Sequence, residues 1–274
     1  MLPTLRETVD FYGLMANKAL GQNFLLDSNI TDKIIRRSLA KQEISNFNNF
    51  NIIEVGPGPG GLTRSILQEN PKSLTVVEMD SRCIKIMEDL RPETHSPMNI
   101  INGDALEFDI KEITSAPRQI ISNLPYNVSV PLLIKWLQEI KNISAMTLMF
   151  QKEVAERIMA PTRCKDYGRV SVIAQLTCQI DKLMDLNPEC FTPAPKIWSS
   201  VLLFRPLNNA INKEEIAKVE KITSLAFGQR RKMLRQSLKS LSGINEKLEK
   251  LEISSTCRAE ELTPQQFLDL SRLF

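Results

Sequence analysis

Histidine is nearly absent from this 274-residue chain: His95 is the only one, and it lies in the polar run Pro92-Glu-Thr-His-Ser-Pro97, which reads as a loop. General acid–base or triad catalysis built on imidazole is therefore not expected. Cysteine is scarce and odd in number. Cys83, Cys164, Cys178, Cys190 and Cys257 form no CxxC pair, which argues against a disulfide framework and against a zinc site, and the expectation is free, buried thiols and no metal. No uninterrupted apolar run approaches the ~18 residues that span a bilayer, so no membrane association is expected. The opening Met1-Leu-Pro-Thr-Leu-Arg-Glu-Thr8 lacks the charged-then-apolar build of a secretory signal, and the expected compartment is the cytoplasm. Repeats and low-complexity tracts are missing too. The charge excess, +3 with a pI near 8.5, is too mild to establish a nucleic-acid partner. With 42% hydrophobic and 24% charged residues, what remains is an ordinary globular composition.

Glycine, sparse overall, is concentrated in Asn51-Ile-Ile-Glu-Val-Gly-Pro-Gly-Pro-Gly-Gly-Leu-Thr63. Ile52, Ile53 and Val55 suit a strand buried on both faces. Gly56, Gly58, Gly60 and Gly61 then let the backbone turn and lie against a ligand without Cβ obstruction, before a helix over 62–70. Gly56-x-Gly58-x-x-Gly61 satisfies the dinucleotide fingerprint, and Glu78 follows at about the ~20-residue distance of a ribose-binding acid. Pro57 and Pro59, however, delete N–H donors that a pyrophosphate would use. S-adenosyl-L-methionine needs no such donors, and its sulfonium favours acidic surroundings, which Glu54 and Glu78 supply. Glu78 can accept from both ribose hydroxyls and Asp104 from an adenine amino group. Taken singly, either acid also reads as a helix cap or a solvated turn residue.

The flanking sequence alternates strands and helices. Buried strands are expected at 74–80, 98–101, 119–122 and 146–150, with helices at 28–41 (capped by Ser28), 81–90, from Pro131, and 153–159. A helix over 170–176, strands at 181–186 and 199–204 and a rigid loop over 188–195 follow. The fold class is α/β: a Rossmann-like open parallel sheet with helices on both faces, whose ligands bind outside the strands' carboxyl ends. Residues 1–19 show weak periodicity and read as a disordered lead-in to an exposed-looking Phe24. From about Asn208 the pattern is wholly helical. The expected domains are 1–207, binding the cofactor and catalytic, and 208–274, all-α and RNA-binding.

Asn123-Leu-Pro-Tyr126 closes the strand at 119–122 with an amide oxygen, a carbonyl turned outward by proline and an aromatic face. The lone pair of an adenine N6 is delocalised into the ring, so attack on a methyl requires pyramidalisation. The Asn123 oxygen and the Leu124 carbonyl can hold the two N–H groups and favour that geometry, with no strong base needed. Tyr126 would stack an extruded base, and Phe191 could cover its other face. The alternatives are a core aromatic for Tyr126 and a packed loop anchor for Phe191.

In these residues the chain resembles the KsgA family of ribosomal RNA adenine dimethyltransferases. The likeness runs through Leu20-Gly-Gln-Asn-Phe-Leu25, Glu54-Val-Gly-Pro-Gly58, Val77-Glu-Met-Asp80, Gly103-Asp-Ala105, Asn123-Leu-Pro-Tyr-Asn127, Gln151-Lys-Glu-Val-Ala-Glu-Arg157, Tyr167-Gly-Arg-Val-Ser171, Phe191-x-Pro-x-Pro-Lys196 and Phe227-x-x-Arg-Arg-Lys232. The resemblance implies a class I S-adenosylmethionine-dependent methyltransferase fold and dimethylation of two adjacent adenosines near the 3′ end of small-subunit rRNA, in the assembling 30S subunit; nothing in the sequence suggests more than a monomer. It further implies that Asn23, Leu25, Gly56, Glu78, Asp104 and Asn123 contact the cofactor, with Phe24 and its neighbours folded over it. The family usually has valine and aspartate where this chain has Ile197 and Trp198.

Phe227 to Ser240 contains Arg230, Arg231, Lys232, Arg235 and Lys239 and no acid. As one helix it would place Arg231, Arg235 and Lys239 on a shared phosphate-binding face; otherwise it is a solvated basic face. Two other functions compete: the related large-subunit adenine methyltransferase of macrolide resistance, and a non-catalytic ribosome-assembly or transcription factor. Tyr167-Gly-Arg-Val-Ser171 looks more like the small-subunit family, and intact Glu54, Glu78, Asp104, Asn123 and Tyr126 speak for activity.

Overall fold

The computed structural model of the chain describes residues 3–16 and 22–274; Leu20 and Gly21 of the first family motif lie outside the described residues. Contacts divide the chain into two units. The first comprises Met1–Leu132, Asn142–Lys152 and Asp181–Arg205, and the second Leu133–Lys141, Glu153–Ile180 and Pro206–Phe274. The expected boundary after residue 207 falls close to the last of these crossings. Segments 133–141 and 153–180 group with the C-terminal residues, and within that unit the helix Arg169–Thr177 packs on the helices Lys213–Gly228 and Pro264–Arg272.

The strands are β1 (Phe24–Leu25), β2 (Asn51–Val55), β3 (Ser73–Glu78), β4 (Met98–Asn102), β5 (Arg118–Asn123), β6 (Ala145–Gln151), β7 (Cys178–Leu186), β8 (Phe191–Thr192) and β9 (Ser199–Pro206). Seven form one sheet in the order β4-β3-β2-β5-β6-β9-β7. The pairs β4/β3, β3/β2, β2/β5 and β5/β6 are parallel, and β9 runs antiparallel to β6. Every residue of β2 is buried, as expected for a strand covered on both faces. The chain steps outward from β2 through β3 to β4, then returns to β5 on the other side of β2. That reversal opens a crevice at the carboxyl ends of β2 and β5.

Helices of the first unit are α1 (Leu5–Phe11), α2 (Ser28–Gln42), α3 (Gly61–Gln68), α4 (Ser81–Leu90) and the single turn α5 (Ile110–Ile113). Helix α2 is tied to β6 by a buried hydroxyl pair, Ser38 Oγ to Thr147 Oγ1 at 2.6 Å. Its cap is Asp27, which accepts the Asn29 N–H, and not the expected Ser28. The region read as a disordered lead-in contains α1. Its signal is a reciprocal capping box in which Thr4 accepts from the Glu7 N–H while Glu7 accepts from the Thr4 N–H. Beyond that helix, Tyr12 donates to Asp89 and the Met15 carbonyl accepts from Arg82. Phe24, exposed-looking by its neighbours but expected from the resemblance to fold inward, is buried in the core.

Helices α6 (Ser129–Gln138) and α7 (Lys152–Met159) follow β5 and β6. The second unit continues with α8 (Arg169–Thr177), α9 (Lys213–Gly228), α10 (Leu234–Ser237), α11 (Ile244–Lys250) and α12 (Pro264–Arg272). Tyr167 organises its core. It is fully buried, donates to the Leu262 carbonyl at 2.9 Å and meets Phe227 edge-on, and Phe227 in turn meets Phe267.

The continuous basic helix expected over 227–240 is not formed. α9 ends at Gly228, residues 229–232 turn, Met233 is extended and bridges Arg258, and α10 lasts one turn. Apolar packing decides this: the Phe227 ring lies between Tyr167 and Phe267, while Leu234 and Leu238 are fully buried and the Leu234 N–H donates to the Cys257 carbonyl. The charges therefore sit on the 229–232 turn, on the single-turn α10 and just after it, and do not share one continuous helical face.

Candidate active site

The glycine loop after β2 is shaped by close approach. A Cβ on Gly61 would lie 2.3 Å from the Leu25 carbonyl oxygen, so only glycine lets α3 begin against β1. Gly58, at φ +56°, has the Phe24 ring where a side chain would go. β1 is held in place by β8, with Leu25 opposite Phe191.

A cavity of about 330 Å³ opens between this loop and the carboxyl ends of β2, β3, β4 and β5. Asn23, Leu25, Gly56, Glu78, Asp104, Asn123, Leu124 and Tyr126, all singled out from the sequence, line it together. Three acids set its electrostatics. Glu54 is buried, its Oε2 has no hydrogen-bond partner among the described residues, and desolvation pushes its carboxyl up to about 8 against the Thr63 hydroxyl, with Glu78 adding repulsion. Glu78 accepts from Met79 N–H (2.8 Å), Asp80 N–H (2.9 Å) and Gly58 N–H (3.3 Å). Burial raises its carboxyl above the ordinary range despite those three donors. Half-buried Asp104 is oriented by the Leu106 N–H at 2.9 Å. The cavity is thus walled by apolar side chains, presents an acidic floor, and offers carboxylate acceptors at successive strand ends.

At the end of β5, Asn123 Nδ2 donates to the Asn23 carbonyl at 3.2 Å. A carbonyl only accepts, so the amide must face Asn23 with its nitrogen, and its oxygen is turned away from that contact. The following turn is fixed by Val128 N–H on the Pro125 carbonyl and by Ser129 Oγ on the Tyr126 carbonyl. The Tyr126 hydroxyl and Ser199 Oγ lie 2.7 Å apart, anchoring the ring to β9. Burial raises the Tyr126 phenol above its usual range, so it stays neutral.

Phe191 does not join these residues. It is 3% exposed, packs in the core with Leu25 and Leu186, and is not part of the cavity wall, so the proposed cover for a base is an anchor of β1. Its place in a strand pair, and not in a free loop, explains the difference. In the second unit Arg231, Lys232 and Arg235 are exposed, whereas Arg230 is engaged by Glu260 at 2.7 Å and by the Cys164 carbonyl at 3.0 Å. Ser199, Thr63 and the Asn23 carbonyl are parts of the site that the sequence reading left out. Ser199 and the Asn23 carbonyl act across long sequence separations, for which a single sequence carries no signal, whereas Thr63 meets Glu54 from within the glycine-loop segment itself.

Comparison with known proteins agrees with this geometry. The family described as "Ribosomal RNA adenine dimethylase" matches residues 13–274. The chain is 42% identical over 271 residues to "Ribosomal RNA small subunit methyltransferase A" of Rhodospirillum rubrum, covering 99% of this chain and 92% of the relative. It is 46% identical over 258 residues to the protein of the same name from Wolbachia pipientis subsp. Culex pipiens, covering 93% and 94%. Among solved structures, a dimethyladenosine transferase from Plasmodium falciparum superposes with a TM-score of 0.75 at 24% identity, over 89% of this chain and 94% of that one. The 23S rRNA methyltransferase ErmE gives 0.66 at 22%, over 91% and 98%. These two likenesses concern the fold, a class I methyltransferase sheet. The full-length match and the identities above 40% concern descent, and by them the chain belongs to the ribosomal RNA adenine dimethylase family.

Proposed function

We propose that the chain transfers methyl groups from S-adenosyl-L-methionine to N6 of two adjacent adenosines near the 3′ end of small-subunit rRNA, acting as a cytoplasmic monomer on the assembling 30S subunit. One observation carries the reading most. Asn123, pinned by the Asn23 carbonyl, opens onto the same cavity as Glu78 and Asp104, so an amide oxygen for the reacting nitrogen and acceptors for a nucleoside share one enclosure.

The residues present fit the cofactor. An orphaned, buried Glu54 oxygen suits a cation, Glu78 suits the ribose hydroxyls and Asp104 the adenine amino group, with Asn23, Leu25 and Gly56 shaping the wall. Bound there, S-adenosylmethionine supplies an electrophilic methyl on a sulfonium. The remaining work falls to the chain. Tyr126 stacks the extruded adenine, and its hydroxyl is held by Ser199 so that the ring stays in place. The Asn123 oxygen and the Leu124 carbonyl accept the two N6 hydrogens, favouring a tetrahedral nitrogen whose lone pair points at the methyl. Methyl transfer to N6, with loss of the sulfonium's S–C bond, would leave that nitrogen cationic and acidic, and its proton would pass to water or to one of these two acceptors.

The small-subunit assignment over the large-subunit alternative is supported by the names of the relatives at 42% and 46% identity, since the ErmE likeness speaks of fold alone. Exposed Arg231, Lys232 and Arg235 would contribute phosphate contacts from the helical C-terminal region. Mass mapping of rRNA nucleosides from cells lacking the protein tests the proposal: dimethyladenosine should disappear from the small subunit. Its persistence there, or its loss from the large subunit, would reject it.

A further inference from the structure

We propose that Trp198 is a stacking platform for the unpaired nucleobase next to the adenosine being methylated; the inference rests on the reading of Tyr126 as the target-base platform. Trp198 is 47% exposed and its neighbour Ile197 40%. Scattered exposed apolar side chains are common, so exposure alone carries nothing. Placement distinguishes this one. The Trp198 carbonyl accepts the Lys152 N–H at 2.9 Å, where the chain leaves β6, and Gln151 is paired with Ser199 in the antiparallel ladder. The indole is therefore mounted on the rigid end of two paired strands. The next residue, Ser199, is the hydroxyl bonded to Tyr126. Consecutive α-carbons are about 3.8 Å apart and successive side chains of an extended chain point to opposite faces, so the indole, on the side of Lys152 and Asp185, flanks at the same strand end the face on which Ser199 holds Tyr126.

A cation completes the arrangement. Lys152 Nζ lies 5.7 Å from the centroid of the indole and 3.6 Å from Asp185. An exposed aromatic paired with an ammonium is the combination by which proteins hold single-stranded nucleic acid, the ring taking a base and the cation the adjoining phosphate. Stacking of this kind tolerates any base because every base has a π-face. With two adjacent adenosines as targets, the base stacked on Trp198 while one is in the cavity is the other.

The test uses the full chain, wild type and the variants Trp198→Ala and Trp198→Phe, with small-subunit particles assembled on unmethylated RNA. Each of the two adenosines is made abasic in turn, and methylation of the remaining one is followed. On intact RNA Trp198→Ala should raise KM about tenfold, the scale of one base–aromatic stack, with kcat largely kept, and Trp198→Phe should recover most of the loss. Wild type should discriminate against an abasic neighbour, and Trp198→Ala should not. Indole emission should be quenched by the RNA in wild type but not in Trp198→Phe. An unchanged KM in Trp198→Ala overturns the inference. So does an equal loss on intact and abasic substrates, which would mark a protein surface of the particle as the occupant. Failure of the wild type to methylate any particle would instead overturn the proposed reaction, and this inference with it.

Discussion

At the carboxyl edge of the sheet, Glu78 and Asp104 accept backbone N–H groups, Glu54 lies within β2 with one oxygen unpartnered among the described residues, and Glu54 and Glu78 are almost wholly out of water. In the 230–239 segment Arg231, Lys232, Arg235 and Lys239 stand exposed on turns and on the short α10, and among the described residues Arg230 alone of the five has an ion-pair partner. Buried charge is strong and dependent on its neighbours, because desolvation and a low local dielectric couple every group to the next. Solvated charge is weak, screened by salt and nearly independent. The first arrangement suits the recognition of one small molecule in one pose. The second suits a polyanion approached from many directions. Substitutions in the two regions should therefore differ in size and in additivity.

The largest effect is expected where the acidic edge meets the reacting centre. Asn123→Ala should keep RNA binding and most of its cofactor affinity while transfer falls about 10²–10³-fold, the scale for removing one oriented polar group from a transition state. Such a protein would occupy its substrate without modifying it. Single-turnover rates at saturating cofactor and RNA give the measurement. Near-wild-type methylation would mean that the Leu124 carbonyl and Tyr126 suffice.

Glu78→Ala comes next. Losing a charged acceptor for the ribose should weaken S-adenosylmethionine binding by roughly 1.5–3 kcal/mol, and three N–H groups on Gly58, Met79 and Asp80 would lose their partner as well. Titration calorimetry decides it, and an unaltered affinity would remove Glu78 from the cofactor site. Asp104→Ala should act in the same direction and also relax the preference for adenine.

Glu54 allows the comparison to be sharpened by pH. With its carboxyl up at about 8 in the free protein, it is mostly neutral at pH 7. A cation placed beside it favours the charged form, so cofactor binding should release a proton below that value. Affinity should then rise with pH by up to about tenfold per unit and level off above about 8. Calorimetry in buffers of different ionisation enthalpy counts the proton directly. Glu54→Gln should abolish both the release and the slope. A flat profile in wild type would place the positive charge of the ligand away from this residue.

How much of this was legible in the sequence follows from where each constraint comes from. The glycine loop, Glu78, Asp104 and Asn123-Leu124-Pro125-Tyr126 are local patterns at strand ends, and a βαβ alternation suffices to bring them to one edge. Trp136, Leu132 and Leu133 likewise mark α6 by spacing alone. Long-range contacts were invisible. Nothing in the string says that Ser199 meets Tyr126 across 73 positions, or that Phe191 pairs with Leu25 and so leaves the cavity. The basic segment misled for a related reason. Its four-residue spacing of cations is a helix pattern, but Phe227 has aromatic partners and Leu234 a backbone partner elsewhere in the second unit, Leu234 and Leu238 are fully buried, and this packing outweighs the spacing. The α1 helix carried a readable Thr4-x-x-Glu7 capping box whose signal is confined to four residues.

The smallest effects are expected from the basic segment taken one residue at a time. Arg231, Arg235 and Lys239 are exposed on a turn, on the short α10 and on the turn after it, so each, if it meets a phosphate, releases its own counterions. Neutralising any one to glutamine should weaken RNA binding only several-fold and make the dependence of log affinity on log salt shallower by roughly 0.7–0.9. The three changes should add, because separated solvated charges share no partner. Cofactor affinity should not move. This separates them from Arg230, whose removal strands Glu260 and loosens the Cys164 loop, and which should therefore lower thermal stability as well as binding. Salt titrations of the three single variants and the triple variant make the test. A triple variant with the wild-type slope would place the RNA elsewhere, over Lys152 and Arg157 first. A triple loss far larger than the sum of the singles would mean that these cations act as one organised site, and the contrast with the acidic edge would fail.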